Sequence, residues 1–125
     1  MRTIVLIMRR KSIAQGLAQA LGSALHVVFE PSHMRAQAMA RSQGAGVALV
    51  EAAESGDHGV AECLALCARL REEAPQCKLL LMCPERDRDG VARAVKAKRR
   101  GRIDDFVFCD ATIAYLVSKL LSMQG

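Results

Sequence analysis

The sequence predicts a doubly wound α/β domain with a five-stranded parallel sheet, and three observations lead to this fold class. Short continuous apolar runs recur along the chain, as the buried strands of a parallel sheet require. A segment with apolar residues three and four positions apart follows each run, which is typical of an amphipathic helix. The 125 residues leave room for one domain, which we assign to residues 1–125.

The predicted strands are aliphatic, and each is followed by a charged residue or by proline. They are Ile4–Met8, Leu25–Phe29, Val47–Val50, Lys78–Cys83 and Phe106–Cys109. Parallel strands that are connected through helices cross over in a right-handed sense. We therefore expect the compact flavodoxin-like strand order 2-1-3-4-5 in a three-layer α/β/α arrangement.

The predicted helices each bury one apolar stripe. In the first helix, Ser12 is a candidate N-cap, Ile13, Leu17 and Leu21 form the stripe, and Gly22 is a candidate terminator. The other four run from Pro31–Ser32 to about Ser42, from Val60 to about Glu73, from Val91 to about Arg99, and onward from a cap at Asp110 or Thr112.

Ligands of doubly wound sheets bind beyond the carboxyl ends of the strands, where the strand order reverses. In the expected order, this edge collects the segments Met8–Lys11, Glu51–Gly59, Met82–Pro84 and Cys109–Asp110. The candidate functional residues should therefore lie in these four segments.

The composition limits the possible partners. The formal net charge is +5 and the pI is about 9.2, a modest surplus that identifies no acidic partner by itself. The chain has no Trp and one Tyr, which disfavours the stacking of single-stranded bases. No apolar run is long enough for a signal-peptide core or a membrane span. We therefore expect neither nucleic acid nor a membrane as the partner of this domain alone.

The cysteines indicate a cellular compartment. Their number is odd, at five, which favours reduced thiols over a disulfide framework and predicts a cytoplasmic protein. Their spacing matches no compact zinc signature.

Two motifs point to a protein family. In segment 47–59, a hydrophobic strand leads to Glu51, and the loop behind it ends at Gly59, eight residues later. The run Ile-Asp-Asp-Phe-Val-Phe at 103–108 leads into the fifth strand. In this order and at this spacing, the motifs resemble the receiver domain of two-component response regulators, and the resemblance covers essentially the whole chain. It implies that Glu51 holds the position of the phospho-accepting Asp, and that Phe106 holds that of the switch aromatic.

The resemblance breaks at the residues that bind the metal in the family. Receivers hold Mg²⁺ with two acidic residues just after the first strand, where this chain has Met8, Arg9 and Arg10. A hard cation needs oxygen ligands, which Met and Arg do not supply. We therefore expect no metal and no cofactor here.

The other phosphotransfer positions are changed as well. The family's Thr or Ser falls on Met82 or Cys83, its Lys on Cys109, and the Pro that follows the Lys on Asp110. We expect no catalytic residue at these positions. The degenerate acceptor pocket is thus predicted to consist of Glu51, Met8, Arg9, Arg10, Met82, Cys83 and Cys109.

Three interpretations of this pocket remain open. In one, Arg9 or Arg10 replaces the metal beside Glu51 and locks the pocket with a permanent charge and bidentate hydrogen bonds. In another, both arginines point into water. In the third, the longer Glu51 side chain imitates a phosphorylated Asp, although the responding Thr or Ser is missing.

The main functional hypothesis is a pseudo-receiver, a phosphorylation-independent signalling module that binds a protein partner and is not an enzyme. It is either a stand-alone adaptor or a piece of a longer regulator. One alternative is an unusual receiver that is still phosphorylated. The other is a redox or metal-binding domain that uses Cys83, Cys109 and Glu51, and it predicts a cysteine with a depressed pKa.

The resemblance also implies a partner interface on the fourth helix, fifth strand and fifth helix, where receivers dimerise or contact output domains. The candidate residues are Arg93, Lys96, Phe106 and Tyr115. The surrounding basic edge is suited to an acidic partner helix or a phosphate backbone. The plain alternative is a solvated helix face.

Overall fold

The computed structural model describes residues 2–124, which form five strand–helix units in sequence. The strands are β1 (Thr3–Ile7), β2 (His26–Phe29), β3 (Val47–Glu51), β4 (Lys78–Cys83) and β5 (Asp105–Phe108). The helices are α1 (Lys11–Leu21), α2 (His33–Ser42), α3 (Val60–Glu73), α4 (Arg88–Arg99) and α5 (Ile113–Ser122).

The five strands form one parallel sheet in the order β2-β1-β3-β4-β5. The predicted strand order and the flavodoxin-like fold are therefore confirmed. The middle of the sheet is covered on both faces. Every residue of β1 is buried, as is expected for a central strand of a parallel sheet.

The helices cover the sheet in two layers. Helices α1 and α5 pack together on one face over a core that includes Leu6, Leu17 and Leu116. Helices α2, α3 and α4 cover the other face over a core that includes Val50 and Leu66. Alternate residues of each strand enter opposite cores, which follows from the two-residue period of a β-strand.

The start of α1 differs from the prediction. Arg10, and not Ser12, occupies the N-cap position, and its side chain makes no capping hydrogen bond. Ser12 lies inside the first turn and is exposed. The backbone N–H groups of Arg9 and Arg10 donate to Glu51 on β3, which ties the two residues that precede the helix to the edge of the sheet.

The start of α4 also lies earlier than predicted, at Arg88 rather than Val91. Asp87 caps this helix, since its Oδ1 accepts from the backbone N–H of Gly90 at 2.9 Å. An Asp cap satisfies one of the free N–H groups of the first turn. The last helix is capped by Thr112, whose hydroxyl accepts from the backbone of Tyr115 at 3.1 Å, so the choice that was open between Asp110 and Thr112 is decided.

The sheet register brings the ends of the strands together. Ile7 pairs with Val50, and Glu51 pairs with Met82. The residues that follow β1, β3, β4 and β5 therefore share one edge of the sheet, as the sequence predicts.

Residues 2–124 contain no helix with the length and apolar content that a membrane crossing requires.

We predict that Gly90→Ala destabilises the fold by about 1–3 kcal/mol, because an added methyl overpacks the junction of α3 and α4. A Cβ at this position meets the Asp87 carboxylate and lies 2.7 Å from Cγ2 of Val60. Gly46→Ala is the control, since its Cβ meets only the Thr3 carbonyl oxygen at 3.8 Å, and its effect should stay within about 0.5 kcal/mol. Urea denaturation measures both, and equal stability of the two variants would contradict the packing argument.

Candidate functional site

A cavity of about 460 Å³ opens at the carboxyl edge of the sheet. It lies at the switch point between β1 and β3, where the sequence analysis places the site. The residues that line it are Met8, Arg9, Arg10, Pro31, His33, Glu51, Ala52, Ala53, Glu54, His58, Pro84, Glu85, Cys109 and Asp110.

The carboxylate of Glu51 occupies the centre of this edge, and its side chain is only 9% exposed. Oε1 accepts from the backbone N–H groups of Arg9 at 3.0 Å and of Arg10 at 3.4 Å. Oε2 accepts from Nε of Arg10. Both oxygens of the carboxylate are thus engaged by groups that follow β1.

The Arg10 side chain also reaches a third strand. Its Nη2 donates to the backbone carbonyl of Cys109 at 3.1 Å, just beyond β5. The guanidinium therefore links the ends of β1, β3 and β5 across the cavity. The side chain is 40% exposed, so solvent screens this pair more than a fully buried one.

The two arginines after β1 differ in whether their side chains pair with Glu51 or point into water. Arg10 lies beside Glu51, as the lock interpretation expects. Arg9 contributes only its backbone N–H, and its exposed side chain makes no ion pair within residues 2–124. A guanidinium carries its charge at all accessible pH values and matches a carboxylate in geometry.

The donor set around Glu51 does not fit the Mg²⁺ ion that a receiver holds. Mg²⁺ requires near-octahedral oxygen ligands, whereas the Glu51 carboxylate is already paired with the Arg10 guanidinium and Met8, just after β1, is buried in the core. Over the described residues, no group of three or more His, Cys, Asp or Glu side chains is arranged to hold a metal ion.

Met82 and Cys83 are placed differently from the prediction. Both are fully buried, and they belong to the cores on opposite faces of the sheet instead of lining the cavity. Met82 contributes to the edge through its carbonyl, which accepts from the N–H of Ala52 at 2.9 Å. Successive side chains of a strand point to opposite faces of the sheet, so Met82 and Cys83 enter the two cores and do not point toward the cavity at the end of the strand.

The cysteines do not have the property that the redox alternative requires. Burial raises the pKa of Cys83 to about 11. Burial likewise raises the pKa of Cys109 to about 12, although Arg10 acts in the opposite direction. The pKa values of the other three cysteines are also raised, to about 11 or 12, by burial. The predicted depressed pKa is therefore contradicted at each cysteine.

A histidine pair that no sequence motif predicted lies at the cavity wall. The ring centroids of His33 and His58 lie 3.9 Å apart. His58 has a φ of 68°, a left-handed conformation that is uncommon outside glycine, and its Nδ1 lies 3.7 Å from Glu62. Burial lowers the pKa of His33, and the nearby His58 and Arg9 lower it further. No local signal in the sequence joins the first residue of α2 to a residue of the loop after β3.

The predicted partner interface is divided by the structure. Phe106 and Tyr115 lie together on the face of α4, β5 and α5, where Phe108 is 41% and Tyr115 is 51% exposed. Arg93 and Lys96 do not join them, because they line a groove between α3 and α4. The periodicity of α4 places Arg93 and Lys96 on the side of this helix that faces α3, away from Phe106 and Tyr115.

The centre of the α4–β5–α5 face is an ion-pair cluster around Asp105. Lys119 and Lys98 contact its two carboxylate oxygens at 2.6 and 2.9 Å. Partial burial raises the pKa of Asp105, but the hydrogen bonds from Lys119 and Lys98 outweigh this and lower the pKa to about 2. The carboxylate is therefore charged throughout the neutral range and holds the ends of α4 and α5 against β5.

No protein-family model matches the chain, and no curated protein matches it significantly in sequence. Solved structures do match it over nearly the whole length. One is a response regulator from Thermotoga maritima, with a TM-score of 0.79 at 20% identity over 99% of this chain and 98% of that one.

Two further structures agree with it. An orphan response regulator from H. pylori, HP1043, has a TM-score of 0.80 at 13% identity over 99% of this chain and 97% of that chain. A CheY-like protein, tadZ from Pseudomonas aeruginosa, has a TM-score of 0.71 at 20% identity over 98% and 99%. The chain therefore has the fold of a receiver domain.

We predict that Arg10→Ala lowers the free energy of unfolding by about 1–2 kcal/mol, because a nearly buried carboxylate loses its cationic partner. Arg9→Ala is the matched control. It retains the backbone N–H that contacts Glu51, so its effect should stay within about 0.5 kcal/mol. Chemical denaturation measures both variants, and an Arg10→Ala protein as stable as Arg9→Ala would show that the ion pair does not hold this edge.

We also predict that all five thiols react slowly with iodoacetamide at pH 7 in the folded protein. The raised pKa values keep them protonated, and the thiolate is the reactive form. The rate should rise as the pH approaches 11, and the urea-unfolded chain should react at least about tenfold faster at pH 7. Mass spectrometry follows each cysteine. Rapid labelling of Cys83 or Cys109 at pH 7 would instead support the redox alternative.

Proposed function

We propose that this chain is a receiver-like module of a two-component-type signalling pathway that works without phosphorylation, as a cytoplasmic protein that binds other proteins and is not an enzyme. The receiver fold supports the general class. One observation carries the finer proposal, namely that the Arg10 guanidinium is paired with the carboxylate at the acceptor position.

The pairing removes the two requirements of phosphoryl transfer at this edge. Transfer to a carboxylate needs a free oxygen as the nucleophile and cations arranged around the phosphoryl group. Both oxygens of Glu51 already accept hydrogen bonds. The cation that pairs with them is Arg10, which contacts both Glu51 and the Cys109 carbonyl.

The same contacts argue against Glu51 as an imitation of a phosphorylated Asp. Such imitation requires a hydroxyl that moves toward the longer side chain. Met82 and Cys83, at the matching positions, are fully buried, and the thiol of Cys83 donates to the carbonyl of Pro84. We therefore propose a pocket with one permanent state, which leaves the outer surfaces to carry the signal.

The α4–β5–α5 face is the first of these surfaces. Its exposed rings at Phe108 and Tyr115 border a depression of about 620 Å³. These rings lie beside the ion-pair cluster of Asp105, and exposed aromatic side chains are enriched at protein interfaces. We propose that this face contacts an output protein or a second copy of the chain, with Phe106 and Tyr115 as contact residues.

The test is a titration with Mg²⁺, with and without beryllofluoride, that is followed by backbone amide NMR. Beryllofluoride imitates an acyl phosphate on a carboxylate. We expect no shift at Glu51 or at the segments around Met8, Met82 and Cys109, because the Arg10 pair already fills the acceptor position. Shifts at submillimolar Mg²⁺ would overturn the proposal and show a working phospho-switch.

Arg10→Ala provides a second arm of this titration. The variant frees Oε2 of Glu51 but creates no acidic ligand for Mg²⁺, so we expect it to remain silent as well. Sodium fluoride without beryllium is the control for ionic strength. A response that appears only in Arg10→Ala would show that the arginine masks a functional acceptor, which would contradict the loss of the metal site.

A further inference from the structure

A groove of about 620 Å³ runs between α3 and α4, on the face of the sheet opposite to α1 and α5. It lies apart from both the acceptor cavity and the α4–β5–α5 face. The residues that line it are Ala61, Leu64, Ala65, Ala68, Arg71, Glu72, Arg93, Lys96, Ala97, Arg100, Gly101 and Arg102.

The floor of the groove is made of small apolar side chains on α3. Ala61, Ala65 and Ala68 are exposed and follow one another at helical spacing, and Leu64 is half-buried beside them. Alanine methyl groups leave room for another backbone to approach closely. The stripe covers about two turns, or roughly 10 Å of helix length.

The opposite wall is a row of cations on α4 and the turn behind it. Arg93, Lys96 and Arg100 lie three and four residues apart, and Arg102 follows. Within residues 2–124, none of these four side chains makes an ion pair or a side-chain hydrogen bond. Lys98 on the same helix, by contrast, is paired with Asp105.

At one end of the groove, the guanidinium of Arg71 is only partly satisfied by hydrogen bonds. One side of this guanidinium binds Asp104 through Nη2 at 3.0 Å, while its buried Nε–H has no hydrogen-bond partner in the described chain. Glu72 is the single acidic side chain that lines the groove among the described residues. The groove is therefore strongly positive along one wall and apolar along its floor.

We propose that this groove binds an acidic amphipathic helix of a partner protein. The inference rests on the proposed function, which requires a protein partner, and adds the surface and the chemistry of that partner. A helix packs on two others through matching rows three and four residues apart. Glutamates or aspartates at such spacing on the partner face Arg93, Lys96 and Arg100, while its small apolar stripe lies on Ala61, Ala65 and Ala68.

A helix fits these features better than a nucleic acid does. Phosphate backbones are bound by cations and hydrogen-bond donors and need no apolar floor. Among residues 2–124, no aromatic side chain lines the groove for stacking with bases, which single-strand binding commonly uses. The apolar stripe thus has a role with a helix and none with a phosphate backbone.

The probe is a synthetic amphipathic peptide of about 18 residues, long enough to be helical in water. It carries glutamates three and four apart beside an alanine–leucine stripe, and a control peptide replaces the glutamates with glutamine. Binding is measured by NMR titration without Mg²⁺ or beryllofluoride. We expect the acidic peptide to shift the backbone amide resonances of the groove-lining residues of α3 and α4, and we expect these shifts to saturate. The glutamine peptide should bind at least about tenfold more weakly.

Two matched pairs of variants test the two halves of the groove. Arg93→Glu with Lys96→Glu should weaken the acidic peptide by at least about tenfold, whereas Arg88→Glu with Arg99→Glu on the same helix should change affinity less than about threefold. Ala65→Gln fills the floor without changing the charge and should weaken binding about threefold or more, whereas Ala92→Gln, outside the groove, should not. Thermal unfolding confirms that each variant is folded.

Three results would overturn the inference: no saturable binding of the acidic peptide, equal weakening by both charge-reversal pairs, or tighter binding of a DNA duplex of about 20 base pairs at the same residues. The outcome is independent of the acceptor site. Beryllofluoride shifts at Glu51 would refute phosphorylation independence and leave the groove result intact, while a peptide that does not bind would refute the groove alone.

Discussion

The contact between Arg10 and Glu51 holds together the edge of the sheet at which receiver folds normally carry out their chemistry. Three segments that are far apart in sequence meet through it, because the guanidinium contacts the carboxylate at the end of β3 and the carbonyl just beyond β5. The start of α1 depends on the same carboxylate, which accepts from two backbone N–H groups there. The positive charge beside this carboxylate is thus supplied by a side chain, which cannot dissociate from the protein.

A fixed charge changes what the fold is able to do. A conventional switch needs a site whose occupancy changes, since a ligand shifts an equilibrium only through a difference in affinity for two states. Under the proposed function, the Arg10–Glu51 pair offers no such difference, and the buried Met82 and Cys83 provide no hydroxyl to respond. Information is therefore expected to enter and leave through the surfaces of the domain.

Two surfaces are available, and α4 separates them. On one side of this helix, Asp105 pairs with Lys98 and Lys119, and the exposed rings of Phe108 and Tyr115 lie beside this cluster. On the other side, the cations of α4 face the alanine stripe of α3 without internal partners in the described chain. Under the two proposals, the first face contacts a partner through its exposed rings, and the second binds an acidic helix.

The sequence by itself determined the layers and the strand order, because buried parallel strands and amphipathic helices leave period patterns that are local in the chain. It also placed Glu51, Arg10 and Cys109 at one edge, since the carboxyl ends of parallel strands must meet there. Only the tertiary structure decided between Arg9 and Arg10, turned Met82 and Cys83 into the core, and paired His33 with His58. It also showed that Arg93 and Lys96 line the α3–α4 groove and not the α4–β5–α5 face. These outcomes depend on the direction of each side chain about its strand or helix and on neighbours from distant segments, which no local pattern records.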